Sequence, residues 1–110
     1  MSKSMSIAVK NIFADPGKAL AGEQFSLLWE NSAIRVERIL SQSYQSPAGF
    51  WYDQDEDEWV IVLRGSAALE FSGGEIVDLR EGDYVAIERH VKHRIAHTSA
   101  QTVWLAVRVK

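Results

Sequence analysis

The side chains able to do chemistry lie in two short stretches. The first runs Tyr52-Asp53-Gln54-Asp55-Glu56-Asp57-Glu58 and sets five carboxylates beside an amide and a phenol. The second holds the three histidines of the chain, His90, His93 and His97. Side chains alternate along an extended backbone, so Tyr52, Gln54, Glu56 and Glu58 share one face, as do His93, Ile95 and His97. A pocket gathering Gln54, Glu58 and His93 would present an amide oxygen, a carboxylate and an imidazole nitrogen. Such a mixed N/O set suits a divalent Zn, Fe, Ni or Mn ion rather than a thiophilic metal. The competing reading needs no metal. Glu58 is then an interior carboxylate bonded to His93 or Tyr52, because a buried charge must be paired.

Other chemistries are less well supported. Asp53, Asp55 and Asp57 have the alternate spacing of a calcium loop, but Glu58 stands where that loop needs Gly and Arg64 where it needs Glu. These three aspartates are expected to form a solvated acidic rim, favouring cationic over anionic ligands. His90 is expected in an exposed loop. There is no Gly-x-Ser-x-Gly elbow, and neither a phosphate loop nor a dinucleotide fingerprint. The chain has no cysteine, which excludes disulfides, thiolate metal sites and a Cys nucleophile. A net charge of -3 offers no basic face for nucleic acid. No apolar run, that from Trp59 to Leu63 included, approaches the ~20 residues that cross a bilayer, and MSKSMSIAVK carries no apolar leader region. The expectation is a soluble cytoplasmic protein with neither a nucleic-acid nor a membrane partner.

The elements positioning these groups read as strands. A length of 110 residues bounds the chain to one domain, and 46% hydrophobic residues can bury a core. Residues 1–22 form a mostly irregular arm, with a turn at Asp15-Pro16-Gly17 and room for a short strand near Ile7 to Phe13. Residues 23–110 form a single β domain. Its expected strands are Glu23 to Glu30, Ala33 to Ser41, Glu58 to Leu63, Ser66 to Phe71, Glu75 to Leu79, Tyr84 to Ile87, His93 to Thr98 and Thr102 to Val109. Ser66 to Phe71 reads as the hairpin partner of Glu58 to Leu63. Many short strands with Gly-containing turns argue for a sandwich, jelly roll or closed barrel. Trp29, Trp59 and Trp104 are expected to be packing residues, and Trp51, beside Tyr52, lines the pocket mouth.

GFWYDQDEDEWVIVLRG, from Gly49 to Gly65, resembles the first motif of the cupins. There two histidines flank one residue, a Glu follows, and a Gly closes the strand. Glu58 and Gly65 have that spacing, while Tyr52 and Gln54 occupy the histidine positions. EGDYVAIERHVKHRIAHT, from Glu81 to Thr98, resembles the second motif. Gly82 and His93 match it, with Glu88 in the Pro position, His90 in the second Gly position and His97 in the Asn position. The resemblance implies an all-β, cupin-type jelly-roll barrel that binds a small molecule. It implies a divalent metal at Gln54, Glu58 and His93, with Trp51, Tyr52 and His97 around the pocket. A metal-free ligand-binding or sensor module is the alternative, and whether the chain is an enzyme stays open. It also implies a homodimer, for which Trp59, Ile61 and Leu63 would supply the apolar outer face.

Overall fold

The computed structural model describes residues 7–14 and 22–110. The described residues form strands, turns and loops without a helix. The strands are β1 (Gly22–Glu30), β2 (Ile34–Gln42), β3 (Asp57–Arg64), β4 (Ala67–Phe71), β5 (Ile76–Leu79), β6 (Tyr84–Ile87), β7 (His93–Thr98) and β8 (Thr102–Val109). Two antiparallel sheets result, one of order β1-β2-β8-β3-β6 and one of order β5-β4-β7. This is the all-β barrel architecture that the strand pattern and turn spacing imply.

The core fills the space between the sheets. Val60 and Val62 of β3 and Trp104 and Ala106 of β8 enter it from the larger sheet. Leu69 of β4 and Ile95 of β7 enter from the smaller one. Each strand contributes alternate residues, as the pleat requires. An isolated bridge between Tyr52 and His93 ties the loop before β3 to the start of β7. Its two backbone bonds measure 2.7 and 3.1 Å. No described helix is long and apolar enough to cross a membrane.

Two expectations fail for identifiable reasons. β4 is not the hairpin partner of β3. It pairs with β5 and β7, whereas β3 pairs with β6 and β8. The chain turns at Gly65, whose φ of 85° suits glycine. A Cβ there would collide with the Gln101 carbonyl oxygen. Ser66 then exchanges bonds with Ser99, its N–H donating to Ser99 Oγ (3.1 Å) and its carbonyl accepting from Ser99 N (2.9 Å). The connection therefore crosses to the other sheet. Locally it looks like a hairpin because both use a Gly-containing turn between two apolar runs.

Nor do the described residues 7–14 contain a strand. They make a turn, with Asn11 Oδ1 accepting from Phe13 N at 2.8 Å. Arg38 Nη1 donates to the carbonyls of Ile12 (3.1 Å) and Ala14 (2.8 Å), so side-chain bonds replace a ladder. Asp15-Pro16-Gly17 lies outside the described residues, and Gly22, assigned to the arm from sequence, opens β1.

Candidate functional site

A small cavity of about 40 Å³, open to solvent at its mouth, lies between the sheets. Its floor is apolar, built from Ile39, Val60, Leu69, Ile95 and Trp104. Its polar groups are Glu23 from β1, Tyr52 and Gln54 from the loop before β3, Glu58 from β3, His93 from β7 and Arg108 from β8. Strand alternation places Glu58 beside Val60 on the inner face, and Arg108 lies directly across from Glu58 in the β3–β8 register.

Glu58, His93 and Arg108 are buried, at 7%, 4% and 6% exposure. Arg108 Nη1 stands 2.7 Å from Glu58 Oε2. Its Nε donates to Glu37 Oε1 at 2.6 Å. His93 Nε2 faces Glu58 Oε1 at 3.6 Å. His93 Nδ1 lies 2.9 Å from the Val91 carbonyl, which can only accept, so Nδ1 carries the proton. In the neutral ring Nε2 then presents its lone pair to the cavity.

A second polar pair sits on the β1 side. Tyr52 Oη donates to Glu23 Oε1 at 2.8 Å. Burial pushes the Glu23 carboxyl above the usual range against the pull of the Tyr52 and Ser41 hydrogen bonds, and the Glu58 charge pushes it further. Burial also raises the Tyr52 phenol, with the Glu23 charge adding to the effect. Burial alone would lower Arg108, but the charge of Glu58 and the bond to Glu37 outweigh it and leave the guanidinium raised. The Tyr52 ring stacks on His93 at 5.5 Å between centroids.

Of the residues singled out from sequence, Tyr52, Gln54, Glu58 and His93 come together. Glu56 shares their parity but leaves the group. The chain bends at Asp55 and Glu56, and Glu56 Oε1 accepts from Arg35 Nη2 at 2.8 Å. His97 does not line the cavity and is exposed. Ala68 pairs with His97 and Leu69 with Ile95, so Ala96 is an extra residue in β7. Such a bulge reverses the parity beyond it. Thr98 turns in, at 2% exposure, and His97 turns out. Trp51 is exposed on the loop and contributes nothing to the cavity lining.

The acidic rim is present but partly neutralised. Asp53 Oδ1 lies 2.9 Å from His90 Nδ1, and His90 is an exposed loop residue as expected. Arg89 holds the exposed Asp57 carboxyl below its usual range, chiefly through their side-chain hydrogen bond. Sequence reading missed Glu23 and Arg108. Arg108 had one usable signal, since it shares inward parity with Trp104 and Ala106. Glu23 had none, because its partners Tyr52 and Ser41 are 29 and 18 residues away.

This fold suggests a divalent metal, and the donor set at the cavity does not suit one. Among the described residues no three His, Cys, Asp or Glu side chains converge on one point. Glu58 Oε2 is already engaged by a guanidinium. A dication sharing that carboxylate would face Arg108 a few ångströms away, a repulsion of several kcal/mol even at an effective dielectric of ~20. Glu58, His93 and the neutral Gln54 amide therefore do not fit such an ion while Arg108 holds this position.

The model of the cupin domain matches residues 45–108. Among solved structures, a Ralstonia eutropha JMP134 protein provisionally described as a mannose-6-phosphate isomerase is 40% identical. The match has a TM-score of 0.88 and covers 94% of this chain and 99% of that one. A cupin superfamily protein from Desulfitobacterium hafniense DCB-2 is 15% identical, with a TM-score of 0.74, over 97% of this chain and 95% of that one. The iron(II) protein HppE is 14% identical, with a TM-score of 0.68, over 79% of this chain and 50% of that one. At such identities the last two likenesses concern the fold alone. The comparison with curated proteins found no match.

Proposed function

The chain belongs to the cupin domain family, and from that premise we propose that its barrel binds a compact small molecule directly, without a metal. The observation that carries this reading is Arg108, buried against Glu58 and Glu37 while lining the cavity. It supplies the positive charge that a metal would otherwise bring to Glu58. The ligand has an apolar body to meet Ile39, Leu69 and Trp104, and a hydrogen-bonding head to meet Glu58, His93 and Tyr52.

Charge narrows the class. Two carboxylates, Glu23 and Glu58, line the cavity with one arginine that is already doubly paired. A phosphate dianion would lose its hydration and face those carboxylates. The sugar phosphate named for the Ralstonia protein is therefore not extended to this chain, and an uncharged or cationic head is favoured.

The reading is tested on chelator-treated protein. Zn, Fe, Ni and Mn are added back singly, followed by panels of polyols, amines and phosphates including mannose 6-phosphate. Bound metal is read by elemental analysis and ligand binding by thermal shift. Metal should stay below about a tenth of an equivalent, and only uncharged or cationic compounds should raise the melting temperature. Uptake approaching one equivalent, abolished by His93→Ala, would establish the metal site at Gln54, Glu58 and His93 instead. Stabilisation by mannose 6-phosphate would overturn the charge argument.

A further inference from the structure

A second cavity, of about 160 Å³, lies where β2 and β3 end and β8 begins, against the turn made by residues 11–14. Leu40 and Val103, register partners across β2 and β8, form its buried floor. Ile12 and Phe13 of the turn face them, and Arg38, Arg64, Gln42 and Gln101 supply the charged and amide groups. Among the described residues no Asp, Glu or His lines it. The cavity between the sheets has the opposite balance, with two carboxylates and one arginine that is already doubly paired. No residue lines both cavities. Strand alternation keeps them apart, since Ile39 and Trp104 face the first while their neighbours Leu40 and Val103 face the second.

Arg64 reaches this cavity through a bulge. Alternation along β3 would set Leu63 opposite Val103, but register shifts between Val62 and Arg64 and puts Arg64 there. A guanidinium thus stands where the period of the strand places a leucine. Among the described residues no carboxylate pairs with it, and it lies over the Phe13 ring, 4.2 Å from the ring centre. A planar guanidinium stacks through its face, which leaves the N–H groups along its edge free to donate. Phe13 is itself held in place. Its N–H donates to Asn11 Oδ1 at 2.8 Å, and Arg38 Nη1 donates to the carbonyls on either side of it, those of Ile12 (3.1 Å) and Ala14 (2.8 Å). Arg38 fixes the turn, the turn fixes the ring, and the ring orients Arg64.

We infer that this second cavity binds a compact organic monocarboxylate, with its apolar body between Phe13 and the Leu40–Val103 floor and its carboxylate on the edge of Arg64. The guanidinium fork matches the two oxygens of a carboxylate. The Gln42 and Gln101 amides line the same cavity and have N–H groups to donate. A cavity of ~150 Å³ is enough for a benzene ring, which sets the size of the apolar body. A phosphate dianion brings a second charge to be desolvated and no apolar surface for Leu40 and Val103. A cation is repelled by Arg64.

Benzoate is the probe, with benzyl alcohol and benzylamine as its neutral and cationic counterparts and inorganic phosphate as an anion without an apolar body. Affinity is read by calorimetry and position by the amide signals of isotope-labelled protein in NMR. Benzoate should bind with a Kd of about 1 mM or below. It should shift the amide signals of Phe13, Leu40 and Val103 and leave those of Glu58 and His93 in place. Benzyl alcohol should bind at least ~tenfold more weakly, and benzylamine and phosphate should not bind. Arg64→Gln should weaken benzoate at least ~tenfold, and Arg64→Lys by less, because lysine keeps the charge and loses the fork. Arg64 is exposed at the end of β3, so both variants should fold. Absence of benzoate binding up to about 10 mM overturns the inference. So does equal binding of benzyl alcohol, wild-type affinity in Arg64→Gln, or a shift pattern centred on Glu58 and His93.

Discussion

The two ends of the barrel interior solve the same problem with different chemistry. At the pocket end Glu37, Arg108 and Glu58 form a run of paired charges in which each offsets the desolvation of the next, with His93 beside Glu58 at 3.6 Å. At the opposite end the polar groups are hydroxyls. Ser41 Oγ accepts from the Trp104 indole at 3.1 Å, Thr98 Oγ1 donates to the Tyr44 carbonyl at 2.8 Å, and Thr102 Oγ1 donates to the Ser66 carbonyl at 3.1 Å. The Thr98 and Thr102 hydroxyls are satisfied by backbone carbonyls, and only Ser41 also reaches a carboxyl, that of Glu23 at 3.5 Å. Paired charges depend on one another, so loss of one exposes the rest. A ligand can join a charged network, whereas hydroxyls already bonded to backbone carbonyls have little left to offer one.

The comparison can be broken most directly at Arg108. Arg108→Met should cost about 3–5 kcal/mol in urea unfolding, because Glu58 and Glu37 lose their shared partner. Adding Glu58→Leu should recover part of that loss. If the single variant costs less than about 1 kcal/mol, the pocket end does not rest on paired charge.

Next in size is Gly65→Ala at the opposite end, at about 2 kcal/mol, since the new Cβ meets the Gln101 carbonyl at a positive φ. Ser41→Ala should cost about 1 kcal/mol by removing the acceptor of the Trp104 indole. An effect of Ser41→Ala as large as that of Arg108→Met would erase the distinction between the ends.

A pH series sharpens the same contrast. The folded carboxyl of Glu23 is raised above its ordinary 4.5, mainly by burial. A raised folded value means that the folded state holds the proton more tightly. The stability this gives is complete below 4.5 and is lost as pH rises through the folded value. Glu23→Gln cannot lose it, so the stability of the variant relative to wild type should improve as pH climbs from 4.5. A pH-independent difference would show that Glu23 is not desolvated. The smallest effect belongs to His97→Ala, within about 0.5 kcal/mol and without change in ligand binding, because the side chain is exposed and outside the cavity.

Much of this was legible in the sequence, though unevenly. Strand positions were readable because alternation is a local property that survives in one dimension. β3 shows it, with Glu58, Val60 and Val62 buried while Trp59, Ile61 and Leu63 are only half-buried. Glu58 and His93 were legible for the same reason, aided by the spacing of the two motifs. Parity failed where an extra residue interrupted it. One inserted position, Ala96, was enough to turn His97 from pocket wall to surface, and nothing in the composition of β7 announces a bulge.

What the sequence determined by itself is an all-β barrel with Gln54, Glu58 and His93 on inward parity. Side-chain period, turn residues and motif spacing are written along the chain. What only the tertiary structure decided is the company those residues keep. Arg108 lies 50 positions beyond Glu58 and yet directly opposite it in the sheet. Register between distant strands is fixed by the packing of the whole core. That packing placed a guanidinium where the spacing alone suggested a metal.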